Sequence, residues 1–132
     1  MALVVVLGVG ALLAALVGWG IDTSVVRFLP KEQITEAVST GGTYAVSWSP
    51  IGGEVPLNDY FELELFVDPP PESVRVDCRM PDHGHGMNVR PRVHDLGRGR
   101  YRVDGLLLHM AGRWILRFEL GEESAEFEVF LL

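Results

Sequence analysis

Residues 60–67 read Tyr-Phe-Glu-Leu-Glu-Leu-Phe-Val, and apolar side chains alternate there with acidic ones. Phe61 and every second residue up to Val67 are apolar, whereas Glu62 and Glu64 lie between them. Successive side chains of a β-strand point to opposite faces, so this spacing gives the segment one apolar face and one polar face. The segment therefore predicts a strand that covers a core on one side and meets water on the other, as is typical of antiparallel sheets.

The same pattern returns along the chain from about residue 43. Alternating segments lie at residues 73–80, 100–104, 113–120 and 126–131, and further extended segments lie at 44–48 and 88–94. Clusters of Gly, Pro, Asp and Ser separate these segments and predict turns. Together the segments predict an all-β fold over residues 43–132, an immunoglobulin-like antiparallel β-sandwich of about seven strands.

The composition of the 132-residue chain narrows the range of functions. This length fits one ordinary domain and excludes a multidomain enzyme. The formal net charge of -7 argues against binding of nucleic acid, because phosphate recognition needs a basic surface. The single cysteine, Cys78, excludes an intrachain disulfide and a Cys-x-x-Cys motif, and its place on the apolar side of a predicted strand favours a core role.

The N-terminal region differs from the rest of the chain. Residues 2–19 are apolar, and no Asp, Glu, Lys, Arg or His occurs before Asp22. A helix of this length spans roughly 27 Å, close to the hydrocarbon thickness of a bilayer. We therefore predict a single transmembrane anchor within residues 1–21; a cleaved signal peptide is the alternative, although no basic residue precedes the apolar run. Residues 22–42 are predicted to be a linker with a short helix at 30–38, where Pro30 occupies the first turn.

Residues 80–87 read Met-Pro-Asp-His-Gly-His-Gly-Met and do not fit a plain strand pattern. Four of the seven methionines and histidines other than the initiator fall in this window, and His109 and Met110 form a further pair. Thioether sulfur is a soft, neutral ligand that favours Cu(I), whereas zinc sites use cysteine, histidine and carboxylates and calcium sites use oxygen. The mixture of His and Met therefore predicts a copper site, with Cu(I) favoured and Cu(II) as the alternative.

Each candidate ligand also has a purely structural interpretation. A single histidine in a glycine-rich loop is usually solvated, but His83 and His85 form a pair flanked by methionines, and the glycines that alternate with them allow a tight turn. Met80 lies on the apolar side of its predicted strand, so it is either a ligand or a core residue. Met110 leaves the same choice open, and His109 is a candidate by its adjacency to Met110 alone.

Taken together, these motifs resemble the YtkA-like and FixH-like domains. The resemblance rests on the loop at 80–87, the Gly-Arg-Tyr-Arg-Val segment at 99–103 and the His-Met-Ala-Gly-Arg-Trp segment at 109–114. The order is similar to that of the family, which has a Met-Pro-x-x-Gly-His-Gly type of loop, a Gly-x-Tyr strand and a Met-x-Gly-x-Trp turn into a strand. The resemblance covers about residues 43–132.

The resemblance implies a small β-sandwich held on the periplasmic side of the bacterial cytoplasmic membrane, with a role in copper handling such as supply to haem-copper oxidases. The ligand positions that it implies are His83, His85, Met87, Met80 and either His109 or Met110. Arg27 and Lys31 follow the apolar run and by themselves would place the domain in the cytoplasm. Nearby acidic residues offset this weak signal, and the extracytoplasmic role implied by the resemblance overrides it.

Two classes of function follow from these expectations. The first is a membrane-tethered copper chaperone or store, which captures copper in the His/Met loop and passes it to a copper enzyme or membrane complex. The second is a non-catalytic accessory subunit of a membrane complex such as a respiratory oxidase, since Gly8, Gly10 and Gly18 allow close packing of the anchor helix. Enzymatic activity is not expected, because the sequence contains no Ser-His-Asp arrangement, phosphate loop or paired-carboxylate motif. The exposed loop also allows a homodimer that shares it.

Overall fold

A computed structural model of the protein describes residues 33–132, which form two antiparallel β-sheets without any helix. The predicted membrane anchor at residues 1–21 and the predicted linker up to residue 32 lie outside the described residues. Residues 33–132 contain no helix with the length and apolar character needed to cross a membrane. The all-β prediction is confirmed for this part of the chain.

The described residues contain nine strands. They are β1 (Glu36–Val38), β2 (Ala45–Pro50), β3 (Tyr60–Asp68), β4 (Val74–Met80), β5 (His85–Gly86), β6 (Arg92–Gly97), β7 (Arg100–Leu107), β8 (Gly112–Leu120) and β9 (Glu123–Leu131). One sheet has five strands in the order β1-β2-β3-β7-β6, and the other has four in the order β5-β4-β8-β9. The described part of the chain therefore crosses between the sheets three times, and the crossing from β7 to β8 lies at the candidate site described below.

The core lies between the two sheets, as the alternating pattern predicts. Leu63, Leu65 and Val67 of β3 are buried, whereas Glu64 between them is exposed. The ring of Trp48 in the five-stranded sheet meets the ring of Phe127 in the four-stranded sheet, with centroids 6.0 Å apart. Because apolar side chains from both sheets are removed from water against each other, the fold is β-sandwich-like, and this burial is its main source of stability.

Each of the seven predicted extended segments has a counterpart among the strands, with differences at the edges. The predicted segment at 88–94 is displaced along the chain, since β6 spans Arg92–Gly97. The two additional strands, β1 and β5, are three and two residues long. Strands this short carry too few residues for an alternating pattern to be seen in the sequence.

The predicted helix at 30–38 is wrong where the structure describes it. Residues 36–38 form β1 and pair with β2, with Val38 opposite Ala45. The turn between these strands is held by Glu123, whose carboxylate accepts hydrogen bonds from Ser39 Oγ at 2.8 Å and Thr43 N at 3.2 Å. A helix of one or two turns is marginal in water, so sheet pairing outweighs the local capping signal. Residues 36–42 thus belong to the folded unit, which extends beyond the predicted boundary at residue 43.

Candidate metal site

The turn between β4 and β5 carries the predicted His/Met loop. β4 ends at Met80, and the backbone N–H groups of His83 and Gly84 donate to the Met80 carbonyl at 3.2 and 3.0 Å. Gly84 has a φ of 68°, a left-handed conformation that a residue without Cβ adopts at low cost. The turn reverses the chain, so that His85 pairs directly with Met80 across the ladder.

The pairing with Met80 decides where His85 points. Residues directly opposite each other in an antiparallel ladder extend their side chains to the same face, and Met80 is buried. The half-buried His85 ring therefore lies on the core side of the sheet edge. His85 Nδ1 is 3.1 Å from the Gly86 carbonyl oxygen. Because a carbonyl only accepts, Nδ1 carries the proton, and Nε2 keeps the lone pair that a metal ion would use.

The connection between β7 and β8 brings the second group of candidate residues to the same end of the sandwich. Residues 108–111 cross from the five-stranded sheet to the four-stranded sheet. Leu108 is buried and its carbonyl accepts from Asn58 N at 2.8 Å, which fixes the start of the connection. Trp114 Nε1 donates to the Met110 carbonyl at 3.0 Å, which fixes its end. His109 lies between these two anchored points.

Three imidazole rings meet at this end of the sandwich and form a row. The ring centroids of His83 and His85 are 5.8 Å apart, and those of His85 and His109 are 5.3 Å apart in a stacked arrangement. The buried ring of Trp114 makes edge contacts with His85 at 6.0 Å and with His109 at 5.6 Å. We call His83, His85 and His109 the histidine row. His83 is exposed, whereas the other two members are half-buried.

His109 carries one of the two buried side-chain nitrogen atoms that have no hydrogen-bond partner within residues 33–132; the other is Trp48 Nε1. The His109 atom is Nδ1, which is shielded from solvent. An unpaired buried polar atom costs about 1–3 kcal/mol, and such atoms in native proteins call for an explanation. A ring nitrogen of neutral imidazole is a common metal ligand, so this atom is chemically suited to a bound ion.

The spacing of the row is compatible with metal binding by neighbouring rings. Two imidazoles that share an ion at a metal–nitrogen distance of about 2.0–2.1 Å have centroids roughly 5 to 6 Å apart. Both distances in the row fall in this range. Residues 33–132 contain no group of three or more His, Cys, Asp or Glu side chains arranged around one point that would hold a metal ion.

The candidate methionines differ in their surroundings. Met80 is 1% exposed and belongs to the core. Met87 and Met110 are half-buried and pack against the core. Met87 directly follows β5 in the chain, and Met110 directly follows His109. The backbone N–H of Met87 donates to the Cys78 carbonyl at 3.1 Å, which ties the residue after β5 to β4. The structure thus brings His83, His85 and His109 together and places Met80 among the packed side chains.

Two further residues with side chains that can bind a metal, Cys78 and His94, are not members of the histidine row. Burial, with a smaller contribution from the Asp77 carboxylate, raises the pKa of the Cys78 thiol well above its usual range, so Cys78 stays protonated. His94 Nε2 is 2.7 Å from Asp104 Oδ2, and this hydrogen bond is the main reason why the pKa of Asp104 is lowered.

Two further side chains, Trp114 and Arg113, contact the histidine row or the loop. The sequence leaves open whether Trp114 fills the core or packs near the site, and its buried ring does both, since it contacts two imidazoles from separate parts of the chain. Arg113 Nη1 is 3.7 Å from Asp82 in the loop, while its Nε is 3.1 Å from Glu128 of β9. The loop is thereby linked to the neighbouring strand β8 of the same sheet by an exposed ion pair of modest strength.

Comparison of the chain with protein-family models, curated proteins and solved structures found no match. The resemblance to the YtkA-like and FixH-like domains therefore stays a prediction that rests on the motifs quoted above.

Proposed function

We propose that this protein is a membrane-tethered, extracytoplasmic copper-binding protein that captures copper and passes it to a partner, as a chaperone or store. The observation that carries the proposal is the histidine row, which ends at the buried Nδ1 of His109, an atom without a hydrogen-bond partner within residues 33–132. In this proposal the sandwich is of the immunoglobulin-like type. Residues 2–19 hold it at the bacterial cytoplasmic membrane, with the domain on the periplasmic side.

The chemistry of the surrounding side chains supports copper over harder ions. Met87 follows β5, which carries His85, and Met110 follows His109 in the chain; both are half-buried, and the soft neutral sulfur of a thioether favours Cu(I). No cluster of three or more His, Cys, Asp or Glu side chains of the kind that structural zinc sites use occurs in residues 33–132. Thioethers bind without releasing protons, and His83 is exposed, so a bound ion remains open to ligand exchange with a partner.

A Cu(I) competition titration tests the proposal directly. The full chain in detergent micelles competes with a chromophoric Cu(I) chelator under reducing conditions. We expect one-to-one binding by the wild-type chain. The triple variant His83→Ala/His85→Ala/His109→Ala should bind more weakly by over about 100-fold, because the imidazole ligands are gone.

The matched control is His94→Ala, which removes a half-buried histidine outside the row. It should keep the wild-type affinity for Cu(I). Absence of Cu(I) binding by the wild-type chain, or equal binding by the triple variant, would refute the proposal. A parallel titration with Zn(II) measures the expected preference for the softer ion.

The alternative is an accessory subunit of a membrane complex such as a respiratory oxidase, and one observation favours it. The outer face of the five-stranded sheet exposes Val38 of β1, Phe66 of β3 and Leu96 of β6, at 64%, 43% and 62%. Large exposed apolar side chains on one face are typical of contact surfaces. Co-purification of a complex that is lost in Phe66→Ser, with Cu(I) binding absent from the wild-type chain, would favour this function.

A further inference from the structure

Resting on the proposed copper function, we infer that the histidine row binds copper in two overlapping positions that share His85. The outer position lies between His83 and His85, and the inner position lies between His85 and His109. The ion enters at the outer position and is held at the inner one. The same ring of His85 serves both positions in turn.

The arrangement of the three rings is the first support. His85 is the middle member, with centroid distances of 5.8 Å to His83 and 5.3 Å to His109. Each distance suits two imidazoles on one ion, as argued above. The three side chains do not converge on one point, since residues 33–132 contain no group of three His, Cys, Asp or Glu side chains placed to hold a single metal ion. Neighbouring pairs are therefore the units that bind, and His85 belongs to both.

The second support is the difference in environment between the two ends. His83 is exposed, so an ion at the outer position stays in contact with water and exchanges readily. At the inner position an ion would pair with His109 Nδ1, which is buried and has no partner among the described residues. Binding there removes the cost of an unsatisfied buried atom, and the interaction is less screened by solvent. The inner position should accordingly bind more tightly.

The hydrogen bonding of the two inner rings indicates which nitrogen atoms bind the ion. His85 Nδ1 donates to the Gly86 carbonyl at 3.1 Å, so His85 binds through Nε2. His109 binds through Nδ1, the buried atom that no other described residue contacts by a hydrogen bond. Trp114 contacts the rings of the inner pair, so its fluorescence reports on occupation of the inner position.

The experiment separates affinity from the rate of exchange. For the full chain in micelles, Cu(I) affinity is measured by chelator competition, and transfer of Cu(I) to excess chelator is followed by stopped flow. We expect His109→Ala to lower the affinity by at least about tenfold while transfer remains fast. We expect His83→Ala to keep the affinity within about threefold and to slow transfer by about tenfold, because the exchange route is removed.

Two controls keep the result independent of folding. His109→Phe keeps a ring for stacking on His85 but lacks the nitrogen, so it should match His109→Ala in affinity. His94→Ala should behave as wild type in both measurements. In a chain with ¹⁵N-labelled histidine, one equivalent of Ag(I), used as a Cu(I) probe, should shift His109 Nδ1 and His85 Nε2 most.

The outcomes are distinct. Equal losses of affinity in His83→Ala and His109→Ala would mean a single three-histidine site and would overturn the two positions. Unchanged affinity in His109→Phe, or Ag(I) shifts confined to His83 and His85, would overturn them as well. Failure of the wild-type chain to bind Cu(I) would overturn the proposed function itself, which is a different result from any of these.

Discussion

Two substitutions of Met80 distinguish its two predicted roles, as a core residue and as a copper ligand. Its side chain is 1% exposed and lies inside the core cluster, so Met80→Ala removes buried atoms and leaves a cavity. Such changes cost about 2–5 kcal/mol in free energy of unfolding. In a domain of 60–100 residues each kcal/mol lowers the melting temperature by about 4–8 °C, so we expect a fall of at least roughly 8 °C. Met80→Leu has a similar volume and should cost under about 1.5 kcal/mol.

The deciding assay is Cu(I) competition on the Met80→Leu variant, with melting followed by near-ultraviolet circular dichroism. We predict that Met80 fills the core, so Met80→Leu should keep both the melting temperature and the Cu(I) affinity close to wild type. The matched comparison is Met87→Leu, which alters a half-buried thioether at the edge of the core and should weaken Cu(I) binding. A large loss of Cu(I) affinity in a fully stable Met80→Leu chain would refute the reasoning and make Met80 a ligand.

Three further predictions concern stability. Trp114→Phe leaves the Met110 carbonyl without its 3.0 Å hydrogen bond, so chemical denaturation should show a loss of about 1–3 kcal/mol. Gly112→Ala should lower the melting temperature, because Gly112 has a φ of 127° and an added Cβ would lie 2.9 Å from a methionine methyl group. The lowered pKa of Asp104, caused first by the His94 hydrogen bond, means that its stabilisation is full above about pH 4 and is lost at lower pH. Urea titrations of wild type and Asp104→Asn should therefore differ at pH 6 and converge towards pH 2.

The part of the fold that could be predicted is the part that local periodicity encodes. The alternation in β3, from Phe61 to Val67, appears in the structure as a strand with one buried face. The same holds for β8, where Trp114, Leu116 and Phe118 are buried. Side chains of an extended chain alternate between two faces, so the sequence alone reports which residues meet the core. The N-terminal strand β1 escaped this reasoning because its pairing with β2 outweighs a weak helix signal.

The candidate site was predicted residue by residue but not as an arrangement. The loop at 80–87 pointed to His83 and His85 through its composition, while His109 was a candidate by adjacency to Met110 alone. Their grouping depends on the sheet order, which places β5 beside β4 and β4 beside β8. The stacking of His85 on His109 and the buried Nδ1 follow from that order.

The sequence by itself determined the all-β character of residues 43–132, the apolar face of the main strands and the soft-ligand composition of the loop, because these are properties of neighbouring residues. Only the tertiary structure decided that β1 is a strand, that His94 pairs with Asp104, and that three histidines form a row against Trp114. These contacts join residues from different strands and connections. No local pattern encodes them, because they arise from the way the two sheets pair and pack.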